Sequence, residues 1–157
     1  MNVWDLPIED KERLKGQKVI LSMSGGKDST AAALLLERHN VDFTPVFMDT
    51  GWEHPATYEY IDRVLVPRFG PVIKISSSFD DPGGEGQFVA LVRKKNMFPS
   101  RLIRFCTSEL KLKPFKKFLD GQDDECVAVL GIRRQESKAR SAYDRWKFND
   151  LYDNYMF

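Results

Sequence analysis

The sequence contains, at residues 19–30, the stretch Val19-Ile20-Leu21-Ser22-Met23-Ser24-Gly25-Gly26-Lys27-Asp28-Ser29-Thr30. Its first five residues are mostly apolar, begin with β-branched side chains and lead directly into two glycines, which predicts a buried strand that enters a turn. Residues 31–38 are rich in strong helix formers, and Ser29 or Asp28 can cap their first turn. The stretch therefore predicts a strand, a short loop and a helix. We call residues 24–29 the SGGKDS loop.

The same order of elements continues along the chain. Apolar runs predict further strands at residues 43–48, 72–75 and 126–130, and helical patterns occupy residues 55–66, 87–95 and 110–119. Residues 76–86 are turn formers and predict a mobile loop. Alternating strands and helices predict a three-layer α/β fold, a Rossmann-like parallel sheet with helices on both faces. In such folds ligands bind at the carboxyl ends of the strands.

Length and composition fit one domain spanning residues 1–157. The chain has 157 residues and 42% hydrophobic residues, including 11 Phe, which suffices for a core. Residues 1–16 are a polar lead-in whose Trp4 and Leu6 are expected to pack on the core. The aromatic residues 141–157 are expected to form a packing helix or a subunit contact, so a homodimer is possible. A net charge of +1 gives no strong overall attraction to duplex nucleic acid or anionic membrane.

The cysteines indicate a reducing environment. Cys106 and Cys126 lie far apart without a paired motif, so we expect no disulfide framework and no zinc or iron–sulfur ligand set. The first residues contain neither a basic run nor an apolar stretch typical of a signal peptide or a membrane span. We therefore predict a cytoplasmic protein without membrane association.

The SGGKDS loop has the composition of an anion-binding loop. It is not a Walker A loop, because Leu21 and Asp28 occupy positions that require Gly and Ser or Thr, and it lacks the three spaced glycines of a dinucleotide fingerprint. Glycines let backbone amides approach an oxyanion, and a helix N-terminus adds positive potential. Lys27 and the hydroxyls of Ser24 and Ser29 add donors. The alternative is an ordinary Gly-Gly turn followed by a helix cap.

Four segments in order carry a resemblance to a known family. The SGGKDS loop resembles the PP-loop of the adenine nucleotide alpha-hydrolase-like superfamily. The segment Phe47-Met48-Asp49-Thr50-Gly51-Trp52-Glu53-His54-Pro55-Ala56-Thr57-Tyr58-Glu59 is similar to one in the phosphoadenylylsulfate reductase family. So are the basic segment from Phe98 to Pro114 and the signature Gly131-Ile132-Arg133-Arg134-Gln135-Glu136-Ser137-Lys138-Ala139-Arg140. The resemblance covers about residues 19–140 and implies an adenine nucleotide ligand: phosphoadenylylsulfate, adenylylsulfate or ATP.

The resemblance and the residue chemistry together give a set of candidate site residues. For catalysis they are Lys27, Arg133 and Cys106. Asp28 and Asp49 could hold Mg²⁺. Asp49 could otherwise cap the next helix, the cations could be ordinary surface charges, and Glu136 could orient an arginine. The predicted nucleotide-binding residues are Ser22, Ser24, Gly25, Gly26, Lys27, Asp28, Ser29, Thr30, Asp49, Thr50, Arg104, Lys111, Gly131, Arg133 and Arg140.

The resemblance leaves the reaction open. It implies that a cysteine on a C-terminal tail attacks sulfur and that a thioredoxin-like reductant resolves the product. Residues 141–157 contain no cysteine. Cys106, among cations that favour a thiolate, is either a substitute nucleophile or a half-buried structural thiol, and Cys126 is expected in the core. The alternatives are an ATP pyrophosphatase-type adenylyltransferase and a non-catalytic nucleotide-binding subunit. A second subunit could complete the enzyme.

Overall fold

A computed structural model describes residues 5–133, 135, 138–142, 144, 146–149 and 152–156. The described strands form one sheet in the order β3-β2-β1-β4-β6-β5. Their bounds are β1 Lys18–Ser22, β2 Thr44–Asp49, β3 Ile73–Ser76, β4 Cys126–Leu130, β5 Trp146–Asn149 and β6 Tyr152–Met156. The first four strands run parallel, β6 runs parallel to β4, and β5 is antiparallel to β6. The predicted α/β fold with a parallel sheet is confirmed.

The described helices connect these strands in the predicted order. The α-helices are α1 Ile8–Leu14, α2 Lys27–Arg38, α3 Pro55–Tyr60, α4 Val66–Phe69, α5 Gln87–Lys95, α6 Phe105–Thr107, α7 Lys113–Asp120 and α8 Lys138–Ser141. Two π-helical turns, Ile61–Leu65 and Ser108–Leu112, join α3 to α4 and α6 to α7, so each pair forms one continuous helical segment.

Both faces of the sheet are covered, as a three-layer fold requires. Alternate residues of β1 point to opposite faces: Leu21 belongs to one buried cluster and Ile20 to another. The first cluster includes Leu36 of α2 and Ile61 of the first π-helical turn, whereas the second includes Phe115 of α7. Helices therefore pack on both sides of the sheet, and the carboxyl edge of the strands is left for the loops.

Each π-helical turn is followed by a proline two residues after its end. Pro67 lies in α4 and Pro114 lies in α7. A proline has no N–H, and its ring crowds the carbonyl four residues earlier, so a locally wider turn accommodates it inside a helix. The second π-helical turn contains Lys111, one of the candidate site residues. The π-helical turn that precedes Pro114 thus affects where the candidate residue Lys111 lies.

The C-terminal segment differs from expectation. A packing helix was expected within residues 141–157, but the structure has the strands β5 and β6, and β6 pairs with β4. The sequence Trp146-Lys147-Phe148-Asn149 alternates aromatic and polar residues, which is typical of a strand, and the edge of β4 offers backbone partners. The expectation of a helix was wrong. A subunit contact through this segment stays a prediction.

The N-terminal segment contacts the end of α2 and strand β5. Leu6 is buried in the first cluster, and its amide donates to His39 Nε2 at 3.2 Å. The carboxylate of Asp10 is buried and accepts from Trp146 Nε1 at 2.5 Å, while Arg13 lies over the Trp146 ring. The expected packing of Leu6 is therefore present. Trp4 lies outside the described residues.

Residues 77–86 form no helix or strand, in agreement with the predicted loop. Side chains hold this loop at several points: Gln87 bonds both the amide and the carbonyl of Phe79, and Asp81 accepts from the amides of Glu85 and Gly86. Among the described helices, none combines the length and apolar character needed to cross a bilayer.

Candidate functional site

The sheet order creates a crevice at the carboxyl edge between β1 and β4. From β1 the chain moves to β2 and then β3 on one side, and β4 returns to the other side of β1. Ser22 and Leu130 are paired at the ends of these two strands. Such a reversal of strand order is where open α/β sheets bind ligands. The SGGKDS loop follows β1 at this point, and Gly131 follows β4.

The SGGKDS loop is shaped by its own hydroxyl groups. Ser29 Oγ donates to the carbonyl of Gly26 at 3.0 Å and accepts from the amide of Ser24 at 3.2 Å. Ser24 Oγ accepts from the amide of Gly26 at 3.3 Å and lies 3.2 Å from Ser29 Oγ. Thr30 Oγ1 donates to the same Gly26 carbonyl. Ser29 is buried, so in this structure its hydroxyl builds the loop; direct ligand contact by Ser29 stays a prediction.

These bonds leave main-chain amides available at the start of α2. Helix α2 begins at Lys27 without a side-chain cap, and Thr30 is the first residue whose amide bonds back to Gly26. Within the described part of the chain, the amides of Lys27, Asp28 and Ser29 have no acceptor. Unpaired amides at a helix N-terminus attract anions. The loop thus presents three unpaired amides at the end of β1, and anion binding by them stays a prediction.

Asp28 carries a negative charge inside this site, and two cations balance it. Arg133 Nε donates to Asp28 Oδ2 at 2.9 Å, and Lys27 Nζ lies 3.6 Å from the same oxygen. Arg133 and Asp28 are far apart in sequence, so the bond joins the end of β4 to the start of α2. Because a carboxylate would otherwise repel a bound phosphate, this pairing keeps the site net positive.

Gly131 lets β4 and α2 come into backbone contact. A Cβ atom built on Gly131 would lie 2.7 Å from the carbonyl carbon and oxygen of Asp28 and from the amide nitrogen of Ser29. Those atoms are backbone and cannot move aside without shifting the helix start. The predicted site residue Gly131 is therefore needed for close packing beside the SGGKDS loop; contact with a ligand stays a prediction.

Asp49 ends β2 and is held by two donors. Its Oδ1 accepts from the amide of Gly51 at 2.8 Å and from the hydroxyl of Tyr58 at 2.7 Å. Burial and the Asp49 carboxylate together raise the pKa of Tyr58 to about 12, so this hydroxyl stays protonated and keeps donating. Tyr58 was not among the predicted site residues. The available signal was its position in α3, the first helix after Asp49.

A series of polar contacts links Lys111 to Thr50, the residue after β2. Thr50 Oγ1 donates to Glu53 Oε1 at 3.0 Å, and Lys111 Nζ lies 3.9 Å from the same oxygen. Thr50 is buried. Sequence analysis placed Thr50 and Lys111 in the site but missed Glu53, which connects them. The structure thus brings two of the predicted site residues together through a third.

The remaining candidate residues lie in the expected segments, but their side chains differ in exposure to solvent. Arg104 precedes α6 and is exposed, Cys106 is a half-buried free thiol in α6, and Arg140 lies in α8. Cys126 lies in β4 against the second cluster, where burial raises the pKa of its thiol. Glu136 lies outside the described residues. Contact of Arg104, Cys106 and Arg140 with a ligand stays a prediction.

The described residues do not form a complete protein cage for a metal. They contain no cluster of three or more His, Cys, Asp or Glu side chains arranged to hold an ion. Asp28 is bonded to Arg133, and one oxygen of Asp49 is occupied by Tyr58. Mg²⁺ commonly binds through one or two carboxylates, substrate phosphates and water. A magnesium ion here would therefore take most of its ligands from a nucleotide and solvent.

Comparison with known proteins agrees with this geometry. The family model for the phosphoadenosine phosphosulfate reductase domain matches residues 18–156, which includes β1, the SGGKDS loop and β4. The chain belongs to this family. The matched region also includes Asp49 and the segment after β4, which lie at the same edge of the sheet as the loop. The resemblance drawn from the sequence is confirmed.

Several known proteins are similar to this chain. An uncharacterized 37.8 kDa protein of Escherichia phage 186 is 32% identical over 82% of the chain, and the uncharacterized nin region protein ORF290 of Escherichia phage lambda is 31% identical over 76%. The chain spans 51% and 49% of these two proteins, about half of their length. Adenosine 5′-phosphosulfate reductase 2 of Bacillus subtilis is 25% identical over 82% of the chain and 51% of its own length.

Proposed function

We propose that this PAPS reductase domain binds an adenine nucleotide with its anionic end on the SGGKDS loop, and acts as a sulfonucleotide reductase-like enzyme on phosphoadenylylsulfate or adenylylsulfate. The observation that carries the proposal is the set of unpaired amides at the start of α2, placed at the β1/β4 crevice. The family model and the adenosine 5′-phosphosulfate reductase relative support the substrate class.

The proposed roles follow from charge and position. Lys27 and the amides of α2 stabilise phosphate and sulfate oxygens, and Arg133 adds its Nη groups while its Nε holds Asp28. Asp49 has one oxygen occupied by Tyr58 and offers the other to a donor of the nucleotide, such as a ribose hydroxyl or the adenine amine. Lys111 and Arg104 supply further positive charge for the substrate.

Reduction also needs a thiol, and the chain offers Cys106. Cys126 is a poor nucleophile, because burial raises the pKa of its thiol. In the proposed step the thiolate of Cys106 forms a bond to the sulfate sulfur, the bond from that sulfur to the phosphate oxygen breaks, and the nucleotide leaves with the electron pair of that bond. One thiolate of a thioredoxin-like dithiol then attacks Sγ of Cys106, which releases sulfite and forms a mixed disulfide. The second thiol of the donor displaces Cys106 as a thiolate, and the donor becomes a disulfide.

Sulfite release tests this proposal. Purified protein is mixed with phosphoadenylylsulfate or adenylylsulfate and reduced thioredoxin, and sulfite is measured. We expect sulfite with the unmodified chain, a loss with Cys106→Ser and retention with the matched control Cys126→Ser. Lys27→Ala should weaken nucleotide binding by at least about tenfold. Nucleotide binding without any sulfite would exclude reduction by this chain with that donor.

The second candidate is an ATP pyrophosphatase-type adenylyltransferase. The glutamine-hydrolyzing GMP synthase of Thermomicrobium roseum is 39% identical over 44% of the chain, although this match covers 14% of that protein. Adenylyl transfer needs no cysteine, and Lys27 would stabilise the leaving pyrophosphate. Its test is magnesium-dependent release of pyrophosphate from ATP. Tight nucleotide binding with neither sulfite nor pyrophosphate would instead indicate a non-catalytic nucleotide-binding subunit.

A further inference from the structure

The last turn of α5 and the segment that connects it to α6 combine positive charge with exposed apolar side chains. These residues, 93–104, which we call the cationic segment, contain no Asp or Glu, so their charge is of one sign. Phe98 is 67% exposed and Leu102 is 93% exposed, although such large apolar residues are usually buried. The cations of the segment are Arg93, Lys94, Lys95, Arg101 and Arg104.

Aromatic contacts link this segment to the loop after β2. Trp52 stacks on Phe88 with ring centroids 4.3 Å apart and an angle of 19° between the planes. The ring of Phe88 in turn lies next to that of Phe98, with ring centroids 6.3 Å apart. Trp52 remains 57% exposed and follows Asp49 and Thr50 by only a few residues. The aromatic row therefore runs from the edge of the candidate nucleotide site to the cationic segment.

Three cations of the segment keep their charge available. Arg93 pairs with Glu85, and Lys94 lies over the ring of Phe79. Lys95, Arg101 and Arg104 are exposed and have no carboxylate partner among the residues that the structure describes. An anionic partner could neutralise these charges without breaking an existing ion pair.

We propose that this surface, formed by Trp52 and residues 93–104, binds single-stranded nucleic acid. Exposed aromatic rings provide stacking faces for bases, and surrounding cations bind the phosphate backbone, which is the combination that single strands require. The bases of a duplex are stacked on one another and cannot reach these rings. An apolar protein partner would fit Leu102 and Phe98 but would leave Lys95, Arg101 and Arg104 without counter-charges.

The whole-chain charge does not oppose this inference. With a net charge of +1, attraction for a polyanion has to be local, and the segment supplies it. The surface adjoins the loop after β2, so a bound strand would lie beside the proposed nucleotide. This surface lies outside the SGGKDS loop, although Arg104 belongs both to it and to the candidate nucleotide-binding residues, and strand binding does not depend on the proposed reaction.

Fluorescence anisotropy with labelled strands of about twelve nucleotides tests it. The probes are single-stranded RNA, single-stranded DNA and the matched DNA duplex, titrated with the whole chain over a series of salt concentrations. The variants are Phe98→Ala and the double change Lys95→Glu with Arg101→Glu. Lys15→Glu is the matched control, because Lys15 is an exposed cation that precedes β1 at the opposite edge of the sheet.

We expect binding of single strands at least about tenfold tighter than binding of the duplex. Phe98→Ala should weaken it about fivefold or more, and the double charge reversal should also flatten its salt dependence. Lys15→Glu should leave it unchanged, and Phe98→Ala should keep adenine nucleotide affinity. The tighter-binding of the two single strands, RNA or DNA, identifies the type of nucleic acid that the surface binds. No binding at low salt, equal binding of the duplex, or equal weakening by Lys15→Glu would overturn the proposal.

Discussion

The hydroxyl of Tyr58 donates to Oδ1 of Asp49 at 2.7 Å, across the gap between the end of β2 and α3. The amide of Gly51 donates to the same oxygen at 2.8 Å. Two donors on one oxygen fix the orientation of the carboxylate, while its second oxygen has no partner among the described residues. Asp49 is thus held in one position before any ligand binds.

Replacing Tyr58 should weaken nucleotide binding through Asp49. Tyr58→Phe removes one charge-assisted hydrogen bond but keeps the ring that packs edge-on against Phe47. We expect affinity for an adenine nucleotide to fall about three- to tenfold by calorimetry, because the carboxylate loses its fixed orientation. Tyr60→Phe on the same helix is the control and should have no effect. Unchanged nucleotide affinity in Tyr58→Phe would contradict a role for the fixed Asp49 carboxylate in ligand binding.

The same hydroxyl should make stability depend on pH at alkaline values. The pKa of Tyr58 is raised from 10.0 to about 12 in the folded chain, chiefly by burial and then by the bond to Asp49. Its stabilising effect is therefore fully present below pH 10 and is lost as pH rises toward about 12. Urea unfolding should show the unmodified chain losing more stability than Tyr58→Phe across this range. Parallel curves would contradict the assignment.

A methyl group at Gly131 should disturb the SGGKDS loop. Gly131→Ala places Cβ within 2.7 Å of the backbone of Asp28 and Ser29, so the start of α2 has to move away from β4. We expect about 1 to 3 kcal/mol lower stability and at least about tenfold weaker nucleotide binding. The control is Gly121→Ala, whose Cβ would come no closer than 3.4 Å to Lys117. Equal behaviour of the two variants would refute the prediction.

Arg133 and Asp28 should be coupled in nucleotide binding. Arg133→Ala leaves Asp28 with only the more distant Lys27, so a less balanced negative charge faces the bound phosphate. We expect about tenfold weaker binding in Arg133→Ala, and partial recovery when Asp28→Asn is added. A double-mutant cycle should give a coupling of about 0.5 to 1 kcal/mol. Additive effects would show that the pair does not act together.

Trp146 should matter for stability and not for ligand binding. Its Nε1 donates to the buried carboxylate of Asp10, far from the SGGKDS loop in sequence. Trp146→Phe keeps an aromatic ring under Arg13 but removes this donor, which should lower the free energy of unfolding by about 1 to 3 kcal/mol. Calorimetric nucleotide affinity should stay within about twofold of the unmodified chain. Loss of affinity would indicate that β5 contributes to the site.

Local sequence patterns predicted those strands and helices whose formation depends on residues close together in the chain. The apolar run before Gly25 and the helix formers after Ser29 predicted β1, the SGGKDS loop and α2, because burial and helix propensity act over neighbouring residues. The C-terminal strands were missed, since the short alternation at residues 146–149 is a weak signal and the strands depend on pairing of β6 with β4 and of β5 with β6. The two π-helical turns were also missed, although Pro67 and Pro114 each follow one of them by two residues.

The amino-acid pattern alone predicts a buried strand followed by a Gly-rich loop with a lysine, and it shows which residues around that loop carry charge. Tertiary structure was needed to place β4 beside β1, so that Arg133 reaches Asp28 and Gly131 contacts the start of α2. It also decided that Tyr58 holds Asp49 and that Glu53 joins Thr50 to Lys111. These pairs are set by strand order and helix packing, which depend on the whole core and not on any local pattern.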